Sequence, residues 1–417
     1  MATSASLANA DRALTVLLVG NYETDRQESM QRFANVLAAD LPGQGVAAEV
    51  CRPTPFFGRL RPSASGFGKW LGYVDKFLLF PVLLKRRTRN LAKRCRAKKS
   101  AFLVHICDHS NAIYTRYLGG VSHLVTCNDM LAIRSAHGEI QQNATRWSGQ
   151  KLQTMILSGL NRAQAVACIS EATRGDLLRL STLAEGQIRV IYMGQNYRYH
   201  PLPRAEAWKM IQQKLPNGRG SLSLPLGFPF LLHVGGNQWY KNRIGVLKIY
   251  AVLREQLAAN GKTDIPKLVM IGPEWIPTMK DFIEQHPELR DEILSLQGVD
   301  NEELGALYSA AELLLFPSLQ EGFGWPIIEA QACGCRVVTT DKAPMTEVGG
   351  ESPVYLEPAW LDGEEGLRCA AEAVQDVLVE GSSARGSRVE AGLQNAALFS
   401  TEKMIGEYAE LYRRLVG

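Results

Sequence analysis

Glu321 and Glu329 stand with seven residues between them in the run PSLQEGFGWPIIEAQACGCRVV, directly after the apolar run ELLLF of Glu312–Phe316. An apolar strand, a glycine-rich loop and then Pro326 read as a strand–loop–helix turn, because a proline in the first helical turn forfeits no hydrogen bond. The amides of Gly322, Phe323 and Gly324 and the positive end of that helix then converge on one place, which makes an anion site. A carboxylate on each side offers acceptors to neutral hydroxyls. Phosphate next to hydroxyls is the pattern of a sugar carried on a diphosphate. Two glutamates at a helix start are otherwise dipole partners on a solvated face; the strand, glycines and proline around this pair favour the binding site.

A second loop has the same character. After the apolar run FPFLLHVG, which ends on Gly235, come Gly236 and Asn237, then Lys241, then Arg243 at the start of a helical pattern that closes at Asn260 and Gly261. The glycines permit a tight turn, and a lysine beside a helix N-terminus adds a mobile cation to an anion-seeking site. A surface lysine is the plainer alternative. Together the two stretches resemble the retaining glycosyltransferases of family four, the group 1 glycosyl transferases, whose signature is E-x7-E. The resemblance is strongest from Phe228 to Gly350 and weaker before Ala101. It implies transfer of a hexosyl group from a nucleoside diphosphate sugar to a hydroxyl acceptor, a lipid-linked glycan or surface polysaccharide precursor. Carried over, Glu321 would bind hydroxyls of the donor sugar, Glu329 the ribose and Lys241 the diphosphate. Gly235, Gly236, Asn237, Gly322, Phe323, Gly324 and Ile327 would line the donor. The arginine that commonly follows the first glycine of the lysine loop is replaced here by Gly236, which leaves Arg243 as the candidate for a second positive charge.

On the N-terminal side, HICDHSNAIYTRYLGGVSHLVTCNDMLAIRSAHGE places Asn128 and Asp129 where many family members have His-Asp near the acceptor and the donor sugar. A carboxamide orients a hydroxyl but neither carries charge nor moves a proton, so this departure removes an acid/base group. Asn128 and Asp129 join Glu321 and Lys241 as the expected catalytic set. Gly20, at the end of the first strand, and His109 form the expected acceptor side, although a histidine beside a strand is more often structural. Ser170 reads as a helix N-cap. No residue stands out as a covalent nucleophile. The expected mechanism is therefore departure of the diphosphate into a preorganised cationic, N–H-lined pocket, with attack from the same face.

The elements that must hold these groups are short apolar runs alternating with helical patterns. LTVLLVG, AFLVHIC, HLVTC, AVACIS and IRVIYMG form one set; FPFLLHVG, KLVMIG, ELLLF and RVVTT form another. Runs without strict alternation suit strands buried on both faces, so each set predicts a parallel sheet between helices. The fold class is α/β, with two Rossmann-like doubly wound domains; the resemblance makes this the GT-B fold, in which they face a central cleft and a C-terminal helix crosses back. The expected divisions are 1–205 for an acceptor domain, 206–395 for a nucleotide-sugar domain and 396–417 for the crossing helix. A stretch rich in Pro, Gly and Ser, Gln195 to Gly227, marks the first boundary. Met404, Tyr408, Leu411 and Leu415 give the last segment a helical apolar stripe.

Composition narrows the classes. With 46% hydrophobic and 21% charged residues, the 417-residue chain is ordinary globular protein. Its eight cysteines show neither a C-x2-C pair nor a Cys/His set, which predicts free thiols in a reducing cytosol and no zinc. No Asp-x-Asp pair occurs, which argues against a diphosphate held through a metal; no cofactor is expected, and the donor would be a UDP- or GDP-sugar. The P-loop, the dinucleotide fingerprint and the G-x-S-x-G elbow are all lacking. The N-terminus has no leader pattern and no apolar run approaches a membrane span, so the expected location is the cytoplasm.

Residues 1–100 hold 17 Lys+Arg against 7 Asp+Glu in a chain of net charge +4. Much of that excess lies in KRRTRNLAKRCRAKK, Lys85 to Lys99, after the apolar KWLGYVDKFLLFPVLL with Trp70, Tyr73, Phe77 and Phe80. Residues 69–99 thus read either as a face docking on an anionic membrane, which would place the protein peripherally on the inner leaflet, or as a packed helix with a solvated basic side. Aromatics are not interleaved with the charges, which disfavours nucleic acid. Two other functions remain open: a nucleotide-sugar epimerase on the same fold, and an inactive sugar-binding homologue, for which Asn128 speaks.

Overall fold

The computed structural model describes residues 13–23, 28–58, 67–214 and 227–417. Segment 1–12, read above for a leader, and the middle of the Pro/Gly/Ser-rich stretch lie outside the described residues. The chain forms two compact units, Met1–Asn196 with Thr401–Gly417 and Tyr197–Ser400. The first division falls a little before 205 and the second a little after 396.

The first unit holds strands β1 (Leu14–Val19), β2 (Val46–Cys51), β3 (Ala101–Ile106), β4 (His123–Cys127), β5 (Ala165–Cys168) and β6 (Ile188–Val190), ordered β2-β1-β3-β4-β5-β6. The second holds β7 (Phe230–Val234), β8 (Lys267–Ile271), β9 (Ile293–Leu296), β10 (Leu313–Phe316), β11 (Val337–Thr340) and β12 (Val354–Leu356), ordered β12-β11-β10-β7-β8-β9. Every pairing is parallel. All nine apolar runs named from the sequence are strands. The three strands that escaped notice, β2, β9 and β12, are edge strands: with a neighbour on one side only they need no continuous apolar run, and in VAAEVC of β2 only the end residues Val46 and Cys51 are buried.

Each sheet has its own core. Leu17, Val19, Val104, Ile106 and Tyr114 belong to the first, and Leu231, Tyr250, Leu268, Leu313 and Leu315 to the second. The C-terminal helix Thr401–Val416 is part of the first unit. Its fully buried Tyr412 lies 2.7 Å from Nδ1 of His105, whose Nε2 lies 2.8 Å from the Thr126 hydroxyl; Tyr408 completes the chain at 2.9 Å from Thr126. Burial lowers the His105 pKa to about 3, so the ring is a neutral structural link.

The basic run forms the helix Phe80–Ala97, preceded by the helix Phe67–Val74 and a π-helical turn Asp75–Leu79. Here the sequence reading needs correction. Phe80 is buried, with its ring 4.9 Å from that of Tyr114, and Phe77 packs on the same core, so neither belongs to an outer face. The exposed apolar side chains are aliphatic instead: Leu78, Leu79, Val82 and Leu83, with Val82 68% exposed. Side chains of Lys69 and Trp70 lie outside the described residues. The turn is fixed by Asp75, which is buried and accepts hydrogen bonds from the amides of Phe56, Phe57 and Gly58 and from the Tyr22 hydroxyl.

Candidate functional site

In the second sheet the chain runs from β7 outward through β8 to β9 and then returns to β10 on the other side of β7. Winding reverses between β7 and β10, and ligands of such sheets bind beyond the strand ends at that point. The loops that leave these two strands are laced together: the amide of Leu319 donates to the Tyr240 carbonyl at 2.7 Å, and the Asn242 side chain to the Pro317 carbonyl at 3.0 Å. Between them, Lys241 Nζ donates to Oε1 and Oε2 of Glu321 at 2.7 and 2.8 Å, across 80 residues of sequence. The Lys241 and Glu321 side chains are only 18% and 6% exposed.

Gly324 caps the helix Trp325–Ala332 with φ 109°, a left-handed conformation that favours glycine, and Pro326 stands in the first turn as expected. Phe323 is buried against the rings of Trp325 and Phe399, and Ile327 is fully buried, so their side chains pack the loop instead of meeting a polar ligand. Gly322 is half-buried. Glu329 lies inside the helix, buried, with Oε2 accepting from the Tyr308 hydroxyl at 3.0 Å. Burial first, and Glu329 second, push the Tyr308 phenol well above its ordinary range, so it remains a donor.

Arg243 opens the helix Arg243–Ala259 and is buried. Its Nη1 donates to the Asn237 side chain and, at 2.9 Å, to the Pro273 carbonyl, while Asn237 donates to the Glu274 carbonyl at 2.7 Å. Nε and Nη2 of Arg243 have no partner, and burial lowers its pKa. His233, fully buried on β7, donates from Nδ1 to the Leu315 carbonyl at 2.9 Å, which leaves Nε2 as a lone pair without a partner. Burial lowers its pKa to about 3, so it is neutral. A Cβ at Gly235 would come within 3.0 Å of that nitrogen, and one at Gly236 within 2.3 Å of the Gln238 side chain. Ser318 and Thr340, near the ends of β10 and β11, also have unpartnered hydroxyls. Buried polar groups are nearly always satisfied, so such a gathering at strand ends marks where water or a ligand supplies partners. His233, Tyr308, Ser318 and Thr340 were not picked out from sequence, although His233, Ser318 and Thr340 sit within the quoted runs.

In the first unit the corresponding ends of β1, β3 and β4 meet around Asp108, which is buried and was not singled out from sequence. It accepts from Asn21 at 2.5 Å, from Asn128 at 3.2 Å and from the Ser110 amide and hydroxyl at 3.1 and 2.5 Å. Asn111 donates to Asn21 at 3.0 Å. His109 does join Asn128: the amide of Asn128 points at its Nδ1 at 3.4 Å, and Asp108 lies 3.3 Å from the same nitrogen. The Asn128 Oδ1 has no partner. Asp129 accepts from the Leu131 amide at 2.9 Å and so starts the short helix Leu131–Ala136. Gly20 is covered by Arg52, whose Nε would lie 2.9 Å from an added Cβ. Ser170 caps its helix by accepting from the Thr173 amide. Among the described residues no group of His, Cys, Asp or Glu could hold a metal ion.

Comparison with known proteins agrees with this architecture. Residues 216–351 match the model of the glycosyl transferases group 1, and residues 30–197 that of glycosyltransferase family 4. O-antigen chain mannosyltransferase B of Escherichia coli is 24% identical over 264 residues, 63% of this chain and 64% of that protein, so the match spans less than two thirds of the relative's own length. Sucrose-phosphate synthase from Thermosynechococcus elongatus superposes with a TM-score of 0.67 at 18% identity, over 97% of this chain and 99% of the other. WaaG, a glycosyltransferase involved in lipopolysaccharide biosynthesis, does so with a TM-score of 0.63 at 15% identity, over 95% and 99%. At those identities the structural likeness speaks for the GT-B fold, and with the two family models the chain belongs to the group 1 glycosyltransferases.

Proposed function

We propose that the protein transfers a hexosyl group, by analogy with the O-antigen relative a mannosyl group, from a nucleoside diphosphate sugar to a hydroxyl of a glycan acceptor. The observation that carries this reading is the Lys241–Glu321 pair at the reversal point of the second sheet. An ammonium carries three protons; two engage Glu321, and the third remains for a phosphate oxygen. Arg243, with two unpartnered donors, supplies the second positive charge in place of the arginine missing at Gly236. Glu321 binds sugar hydroxyls, the amides of the 322–324 loop face the phosphate, and Glu329, oriented by Tyr308, takes the ribose. No protein nucleophile is required: the bond from the anomeric carbon to the phosphate oxygen breaks with its electron pair leaving on the diphosphate, and the acceptor hydroxyl attacks from the same face, with retention, passing its proton to that departing phosphate oxygen. In the first unit Asn128 and His109 orient the acceptor.

The basic helix and its aliphatic strip support docking on the anionic inner leaflet, where a lipid-linked acceptor would be presented. No described helix is long and apolar enough to cross a membrane. Thermal shift against a panel of UDP- and GDP-sugars tests the donor, because a ligand at about 100 times its Kd stabilises by about 2.7 kcal/mol. Release of nucleoside diphosphate only when an acceptor is present identifies a transferase. Interconversion of the sugar without acceptor would mean an epimerase, and binding without turnover an inactive homologue.

A further inference from the structure

The helix Phe80–Ala97 leaves part of the first sheet uncovered. It buries Phe80, Leu84 and Leu91 against a core that includes Leu17 and Val104. Leu17 of β1 is the register partner of Glu49 on the edge strand β2, so the two side chains share one face of the sheet. The helix covers the first position and stops short of the second. The result is a groove of about 400 Å³ between helix and edge strand, large enough for a small ligand.

Its lining is amphipathic. Leu17 and Leu91 form the floor, while Arg86, Arg87 and Asn90 form a polar wall. Neither Arg86 nor Arg87 has a carboxylate partner among the described residues. Arg94, ion-paired with Glu49, closes the far end, and Leu83 forms the near end. Leu83 is also the last member of the exposed aliphatic strip Leu78, Leu79 and Val82. Apolar and cationic surfaces therefore follow one another along a single helix, with Arg86 about 6 Å from Val82 at 1.5 Å rise per residue. That offset matches the step from the edge of a hydrocarbon layer to its phosphates. The strip also lies at the acceptor end of the sheet, since Asp75, just ahead of it, holds the β1 and β2 loops through Tyr22 and residues 56–58.

Building on the membrane docking in the proposed function, we infer that this groove is a specific site for the phosphate of an anionic phospholipid. Arg86 and Arg87 grip the phosphate, Asn90 donates to its ester or glycerol oxygens, and the leucine floor covers the first carbons of the lipid. Diffuse attraction between a basic helix and a charged surface would need charge alone; a site needs these positions and an open groove.

The test is sedimentation of the full-length protein with vesicles of phosphatidylcholine alone and of equimolar phosphatidylcholine and phosphatidylglycerol. Wild type should bind the second and not the first. The double variant Arg86→Ala/Arg87→Ala should lose at least about tenfold in partition, while Arg89→Ala/Lys93→Ala, which removes the same charge from the same helix outside the groove, should lose less than about threefold. Asn90→Phe keeps every charge but fills the groove, and should also lose at least about tenfold. All of these positions are exposed, so the variants should fold. Equal losses in the two double variants, or wild-type binding by Asn90→Phe, would overturn the site while leaving docking intact. Failure of the wild type to bind the anionic vesicles would overturn docking and the site together.

Discussion

The two units present polar groups at their strand ends in opposite conditions. Around Asp108 in the first, donors and acceptors are spent on one another: Asn21, Asn111, Asn128 and Ser110 form a closed set with one orphan, Asn128 Oδ1. At the β7 and β10 ends in the second, His233 Nε2, Arg243 Nε and Nη2, and the hydroxyls of Ser318 and Thr340 all lack partners. The two central histidines repeat the contrast. His105 has both ring nitrogens engaged, whereas His233, equally buried and equally neutral, has one. A satisfied network specifies a rigid wall; an unsatisfied one describes a surface open to water or a ligand.

The largest effect should come from removing the centre of the second region. Glu321→Ala should lower turnover about a hundredfold, or about 2.7 kcal/mol, because it takes away the proposed sugar contact and leaves Lys241 without its carboxylate. Wild-type rates of nucleoside diphosphate release in a folded variant would remove Glu321 from the site.

The same change in both regions sharpens the contrast. Asn128→Asp sets a second carboxylate beside Asp108 and removes its donor, so urea unfolding should show a loss of about 2 kcal/mol. Asn237→Asp meets the Arg243 guanidinium instead and should stay within about 1 kcal/mol of wild type while weakening nucleoside diphosphate binding. If the two variants lost equal stability, the distinction drawn here would collapse.

Lys241→Ala should weaken binding of GDP or UDP about tenfold, some 1.4 kcal/mol, and leave the bare nucleoside nearly unaffected. Arg243→Ala should share that selectivity. Calorimetry that finds equal losses for diphosphate and nucleoside would place both residues in a structural role.

The smallest effect near neutrality is that of pH. His105 and His233 are held at about 3 against an ordinary 6.5, so between those values the unfolded chain binds more protons than the folded one. Their contribution to stability is complete above pH 6.5 and is lost as pH falls toward 3. His105→Gln and His233→Gln should each flatten the decline between pH 7 and 4 in urea titrations; an unchanged slope would mean that the rings titrate normally in the fold.

Much of this was legible in the sequence because it is local. Interior strands of a parallel sheet are buried on both faces and are apolar almost throughout, so the eight interior runs could be read, and the edge strand β6 was caught with them because it lies in the longer apolar run IRVIYMG; a glycine loop followed by Pro326 announces its own helix; Ser170 announces its cap. Three of the four edge strands, β2, β9 and β12, were hidden because an edge imposes no such pattern. Local chemistry likewise marked Glu321, Lys241 and Asn128 as candidates, but not Asp108 or Tyr308, whose importance is only the company they keep.

The tertiary structure decided what depends on distant chain segments meeting. It set Lys241 on Glu321 across 80 residues, joined His105 to Tyr412 across 307, and turned Phe77 and Phe80 inward while leaving Leu78 and Val82 outside. Sequence periodicity says that a helix has two faces, but which face finds a core depends on what the rest of the chain places beside it. The sequence determined the kinds of group available and the elements that carry them. Folding decided which of those groups satisfy one another and which are left without a partner, because a hydrogen bond is settled by a few tenths of an ångström that no spacing in a sequence encodes.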